Sequence, residues 1–169
     1  MSGRRFLSSL WLVVAVSAST FAQQPAAMDE QALTKEVNAF MDQYWQLWSA
    51  GEIDQLASRV YHPFGQLNNQ GHSTVEQLRS AFPQTRKTML AGGYARSQMP
   101  MAGRNVCILA PTVAVVSGRG VRYLTNGEVM AEFGWTYTLL KNATGWRMVS
   151  IYSHDPRKAL TCSSSGSVG

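Results

Sequence analysis

The sequence predicts an α+β domain, with a long N-terminal helix and two short helices ahead of an antiparallel sheet. Three observations predict it. Apolar side chains recur every three or four residues between Glu30 and Ser49. Beyond Pro83 the pattern changes to β-rich runs of alternating character. The last two runs, 128–140 and 146–154, are joined by the short segment Lys141-Asn-Ala-Thr-Gly145, which reads as a hairpin turn.

Taken in order, Leu33, Val37, Phe40, Met41, Tyr44, Leu47 and Trp48 form one broad face of the first helix. Ala50-Gly51 breaks it. Residues 52–61 are expected as a second helix that packs through Ile53, Leu56 and Val60. It should end at His62-Pro63, because the residue before a proline is pushed out of the helical region. Residues 64–68 read as a short strand and 69–72 as a loop. Ser73-Thr-Val-Glu76 then reads as a capping box opening a third helix that reaches about Phe82. Strands are expected at 93–99, 104–109 and 113–124, with Asn126-Gly127 as a type I′ reversal into the final hairpin. Period-two alternation puts Phe133, Trp135, Tyr137 and Leu139 on one face. It puts Trp146, Met148, Ser150, Tyr152 and His154 beside them on the next strand.

The chain begins with Arg4-Arg5, an apolar run from Phe6 to Val16 and a small-residue segment ending at Ala22, the pattern of a cleavable, bacterial-looking signal peptide spanning residues 1–22. The run is interrupted by serines and falls short of the roughly 20 apolar residues that cross a bilayer, so no stable membrane anchor is expected after cleavage. The expected product is periplasmic or secreted, with a flexible mature start at 23–29, a folded domain at 30–156 and a disordered tail at 157–169. Of fifteen Lys and Arg, two leave with the leader while all ten Asp and Glu stay, so thirteen against ten gives the mature chain +3. The basic residues are scattered, and such a mild charge without a basic run points away from nucleic acid and towards a solvated surface.

Cys107 and Cys162 would both meet an oxidising compartment, where a disulfide is permitted; the sequence leaves a bridge and a buried free thiol both open. Two cysteines and three isolated histidines lack metal-ligand spacing, so neither metal nor cofactor is expected. Asn142-Ala-Thr144 matches a glycosylation sequon, which carries little weight behind a bacterial leader.

The helix, the stretch Ser49-Ala-Gly-Glu-Ile-Asp54, the second helix, the capping box and the closing Gly145-Trp-Arg-Met-Val149 strand together resemble the nuclear-transport-factor-2-like superfamily, nearest its SnoaL-like and ketosteroid-isomerase-like branches. The resemblance covers residues 30–156. It implies a strongly curved antiparallel sheet wrapped round the long helix, a cone-shaped α+β barrel with an apolar pocket, and commonly a homodimer. Because the superfamily holds both enzymes and non-catalytic binding modules, fold alone does not choose a function.

Laid without a gap on the ketosteroid-isomerase pattern, the segment from Tyr44 to Asp54 puts the oxyanion-hole tyrosine on Tyr44 and the general-base aspartate on Asn68. A carboxamide has no proton-accepting carboxylate, so the resemblance implies no steroid-isomerase chemistry here. The second oxyanion-hole acid falls near Tyr137. The expected ligand-binding set is Tyr44, Asn68, Tyr137, Ser150, Tyr152 and His154, around a small apolar or aromatic molecule. His62, His72 and Glu132 read as surface residues, and His154 and Asp155 point to opposite faces of a strand. Three readings remain: an exported binding module, a small-molecule lyase, isomerase or hydrolase using Tyr44 with His154, and a non-catalytic homodimeric interaction domain.

Overall fold

Helix α1 (Glu30–Ala50) opens the folded part of the computed structural model, which describes residues 28–68 and 71–162, with the side chains of 62–64, 66–68 and 72 excepted. The expected leader at 1–22, the segment 23–27, Asn69-Gln70 and the tail beyond Cys162 lie outside the described residues. Asp29 caps the helix, its side chain accepting from Ala32 N at 2.9 Å. Val37, Met41, Tyr44 and Trp45 form the buried stripe. The helix stops at Gly51, whose φ of 82° suits glycine. A side chain there would also strike the Arg86 guanidinium, which donates to the terminal carbonyl of Ser49 at 3.0 Å.

Helix α2 (Ile53–Gln55) runs into a wider turn, Leu56–Val60, closed by Tyr61 N donating to Leu56 O five residues back, and buries Leu56 and Val60. The chain becomes extended at Tyr61, earlier than the proline alone suggests, because β1 (Tyr61–Asn68) already pairs in parallel with the last strand, Tyr61 opposite Met148. The expected loop at 69–72 is partly strand: β2 (Gly71–Thr74) pairs antiparallel with β1.

Helix α3 (Val75–Ala91) keeps the capping-box chemistry one residue later than expected. Thr74 Oγ1 accepts from Gln77 N at 3.3 Å, and Gln77 Oε1 accepts from Thr74 N at 2.8 Å. The helix passes through Pro83 and ends at Gly92. A proline well inside a helix forfeits one backbone bond; here good helix formers come after it and carry the helix on.

Strands β3 (Tyr94–Gln98), β4 (Arg104–Ala110), β5 (Val113–Leu124), β6 (Val129–Asn142) and β7 (Gly145–His154) complete a sheet of order β2-β1-β7-β6-β5-β3, with β4 alongside the other end of β5. All described pairings are antiparallel except β1 with β7. The sheet is strongly curled into a half-barrel round α1, the α+β cone expected from the sequence. The β5–β6 reversal differs from expectation. Four residues, 125–128, separate the strands, Gly127 N donating to Leu124 O at 3.0 Å, and among the described residues positive φ occurs at glycines alone. Asn126 therefore does not adopt the type I′ conformation, which needs positive φ at both central positions. Its side chain accepts from Glu128 N instead.

The expected disordered tail is placed as far as Cys162. A short turn, Pro156–Lys158, leads it back over the outer face of the sheet, where Leu160 N donates to Ser117 Oγ at 2.8 Å. There Cys162 forms a disulfide with Cys107 of β4, their Cα atoms 5.5 Å apart.

Candidate functional site

Strand register defines the face that meets α1. Val116 of β5 lies opposite Tyr137 of β6, Gly118 opposite Trp135, Gly120 opposite Phe133 and Arg122 opposite Ala131. Alternation then keeps Val116, Gly118, Gly120 and Arg122 on the concave side. The deep end is closed by Val37, Met41, Leu139 and Met148, all fully buried. In the middle, the rings of Tyr44 and Tyr137 meet edge to face at 5.7 Å, and Tyr61 stands 6.4 Å from Tyr44. The sequence brings Tyr44 and Tyr137 together, and the structure does the same.

Burial drives the phenol pKa of Tyr44, Tyr61 and Tyr137 well above its usual value, so all three keep their protons at physiological pH. Tyr137 Oη is buried without a hydrogen bond of ordinary geometry among the described residues, although the Tyr44 hydroxyl is close enough to affect its ionisation.

Towards the open end, one aromatic wall follows from a glycine. A Cβ on Gly120 would lie 2.2 Å from the Trp135 indole, so its absence lets that ring lie across β5. Trp135 then contacts Trp45 at 5.1 Å and stacks on Phe133 at 4.9 Å and 18°. The guanidinium of Arg122 covers the other side of that stack, its carbon 4.3 Å above the Phe133 ring centroid. Phe133, Trp48 and Arg122 are half-buried.

Arg122 is the residue that sequence reasoning misses, because composition alone groups it with the surface cations. Its Nε is buried without a partner among the described residues, and desolvation lowers its pKa. Ser97 pairs with it in register, and Tyr94 Oη shares a 2.9 Å hydrogen bond with Ser97 Oγ. The signal available in the sequence is its phase, in step with Val116, Gly118 and Gly120 along one face of β5. Arg104 is more deeply buried, and its terminal nitrogens are occupied: they donate to Asn38, to Asp42 at 2.6 Å and to Met99 O at 2.7 Å.

The described residues include every Asp and Glu in the chain, and none lies on the concave face. Nine are exposed, and Asp155, half-buried, is tied to Arg157. Glu132 pairs with Arg119 on the outer face. Among the described residues no group of three or more His, Cys, Asp or Glu could hold a metal ion.

The second strand of the expected wall needs correction. The β6–β7 register shifts between Thr138 and Leu139: Met148 is opposite Leu139, but Ile151 is opposite Tyr137 and Ser153 opposite Trp135. This bulge inverts the alternation. Ser150, Tyr152 and His154 therefore share the outer face with Thr138, Thr136 and Gly134. His154 confirms it. Its Nδ1 lies 2.8 Å from Asp155 O, a carbonyl that can only accept, so that nitrogen carries the proton. Nε2 shares a hydrogen bond with Thr136 Oγ1 at 3.0 Å, Thr136 Oγ1 shares one with Ser117 Oγ at 2.7 Å, and Ser117 accepts from Leu160 N. The chain of bonds fastens the tail to the sheet and leaves both imidazole nitrogens engaged, away from Tyr44. Asn68 lies in β1 opposite Gly71; its side chain is outside the described residues.

A family model described as NTF2-like protein (DUF6841) matches residues 35–156. No curated protein matches the chain. Among solved structures, the chain is similar to an NTF2-like superfamily protein from Salmonella enterica serovar Typhimurium, at 14% identity over 82% of this chain and 97% of that one, with a TM-score of 0.56. It is also similar to an NTF2-like protein of unknown function from Shewanella oneidensis (13% identity, 73% and 99% covered, TM-score 0.59). A third is an NTF2-like protein with a cystatin-like fold from Novosphingobium aromaticivorans (14% identity, 73% and 83% covered, TM-score 0.59). At these identities the likeness is one of fold.

Proposed function

This chain belongs to the NTF2-like protein family (DUF6841), and we propose that it is an exported binding protein whose cone holds a small, flat, largely apolar organic molecule without transforming it. The observation that carries this reading is the concave face itself: stacked rings from Trp45, Trp135 and Phe133, protonated phenols behind them, and no carboxylate to move a proton. The ligand enters beside Phe133 and lies along the wall towards Trp135. Asn68, at the position of the steroid-isomerase base, supports the absence of that chemistry. A lyase, isomerase or hydrolase built on Tyr44 and His154 is disfavoured, because the two lie on opposite sides of the sheet.

Export rests on the leader pattern, and the Cys107–Cys162 disulfide suits an oxidising compartment. A homodimer is part of the proposal, with exposed Leu140 and Tyr152 on the outer face as apolar surface for a second copy. Native mass spectrometry of the mature protein reads leader removal, oligomeric state and any retained ligand together. Binding is read with N-phenyl-1-naphthylamine, a neutral aromatic probe whose emission should rise with wild type and with His154→Ala, and not with Phe133→Arg. No enhancement with wild type, or equal enhancement with a folded Phe133→Arg, overturns the reading.

A further inference from the structure

We propose that Arg122 is the anion-recognising group of the cone and that its ligands are flat aromatic carboxylates. The inference rests on the binding reading above and deepens it. An arginine on a concave face is costly unless something offsets its charge. All ten side-chain carboxylates lie elsewhere, and Arg122 belongs to no ion pair among the described residues. Phe133 supplies only the attraction of its ring face.

The geometry selects the shape of the missing partner. With one face of the guanidinium against Phe133, its donors point outward from its edge, including the buried Nε, which has no partner among the described residues. A planar fork of N–H donors fits a carboxylate in a bidentate manner. Phe133 is half-buried between Trp135 and Arg122, so a flat ring packed against its open edge brings an attached carboxylate to the arginine edge. The neighbouring phenols of Tyr44 and Tyr137 are neutral, so they add donors and no second charge. One cation without a competing anion suits a monoanion. Arg104 has an unpartnered Nε too, but its two terminal nitrogens donate to Asn38, Asp42 and Met99 and its charge is already paired with Asp42.

The test compares 2-naphthoate with its neutral isostere 2-naphthamide by calorimetry and tryptophan quenching. Wild type should prefer the carboxylate by roughly tenfold to a hundredfold, the usual value of hydrogen bonds to a charged group. Arg122→Gln should bring naphthoate down to the amide's affinity and leave the amide unchanged. Arg122→Lys, which keeps the charge but loses the fork, should fall between them, and it serves if the glutamine variant does not fold. Equal affinities in wild type, or a preference that survives in Arg122→Gln, overturn the inference. If the neutral N-phenyl-1-naphthylamine binds while neither naphthalene does, the carboxylate assignment fails and the cone reading stands. If none of the three binds, the cone reading fails first.

Discussion

Breaking the Cys107–Cys162 bridge gives a perturbation whose size follows from the chain. The two residues are 55 apart, and the closed loop contains β5, β6 and β7, so the bond ties the strand beside β5 to the tail that comes after β7. In the loop-entropy treatment, closing about 55 residues removes on the order of 14 cal/mol/K from the unfolded chain, about 4 kcal/mol at 25 °C. The native side loses little in return, because Leu160 still donates to Ser117, which is itself bonded to Thr136 and through it to His154. For a chain of this size 1 kcal/mol is worth roughly 2–4 °C in Tm, so the expected fall is about 8–16 °C. The assay is thermal unfolding followed by far-ultraviolet circular dichroism, oxidised against fully reduced, with the Cys107→Ser/Cys162→Ser double variant as a control that needs no reductant. Thiol titration should find no free sulfhydryl in the oxidised protein. If the thiols are shown to be free in one sample and bridged in the other, and the two melts coincide within about 2 °C, the tail does not constrain the sheet as argued.

Two further perturbations probe the cone. Gly120→Ala puts a methyl group where the Trp135 ring lies, so it should cost about 1–3 kcal/mol in urea unfolding and shift tryptophan emission; unchanged emission and midpoint would mean that the ring does not lie across β5. Alkaline pH should also unfold the protein: Tyr44, Tyr61 and Tyr137 keep their protons in the folded state while the unfolded chain releases them near pH 10. Since the folded state then binds more protons, stability is complete below about pH 10 and falls above it by up to about 1.4 kcal/mol per pH unit for each tyrosine. Tyr137→Phe should make that fall shallower by one tyrosine's share, and an unaltered slope would show that its phenol titrates alike in both states.

How much of the fold and the site is legible in the sequence depends on how far each signal reaches. The α1 stripe and the β5 bounds come from local period and turn chemistry, and they are legible; the association of Tyr44 with Tyr137 is what the family resemblance implies. An end to α3 near Phe82 gives a single breaker, Pro83, more weight than the residues after it. The run Gln84-Thr-Arg-Lys-Thr-Met-Leu-Ala91 before Gly92-Gly93 is a helix with its own stop signal, and ending the helix early hides Arg86, which caps α1. The β7 error has a different cause. Alternation is a rule of phase, and one bulge between Met148 and Ser150 reverses every later residue without any change in composition. Unbroken alternation thus carries Ser150, Tyr152 and His154 together to the wrong face, and the same physics returns Arg122 to the right one. On β5 no register shift falls between Val116 and Arg122, so the cation keeps the phase of the core residues before it. A charged side chain that stays in step with a buried face, with the chain's carboxylates all placed elsewhere, is held there by the fold, and its buried Nε without a partner among the described residues is the most specific chemical property of that face.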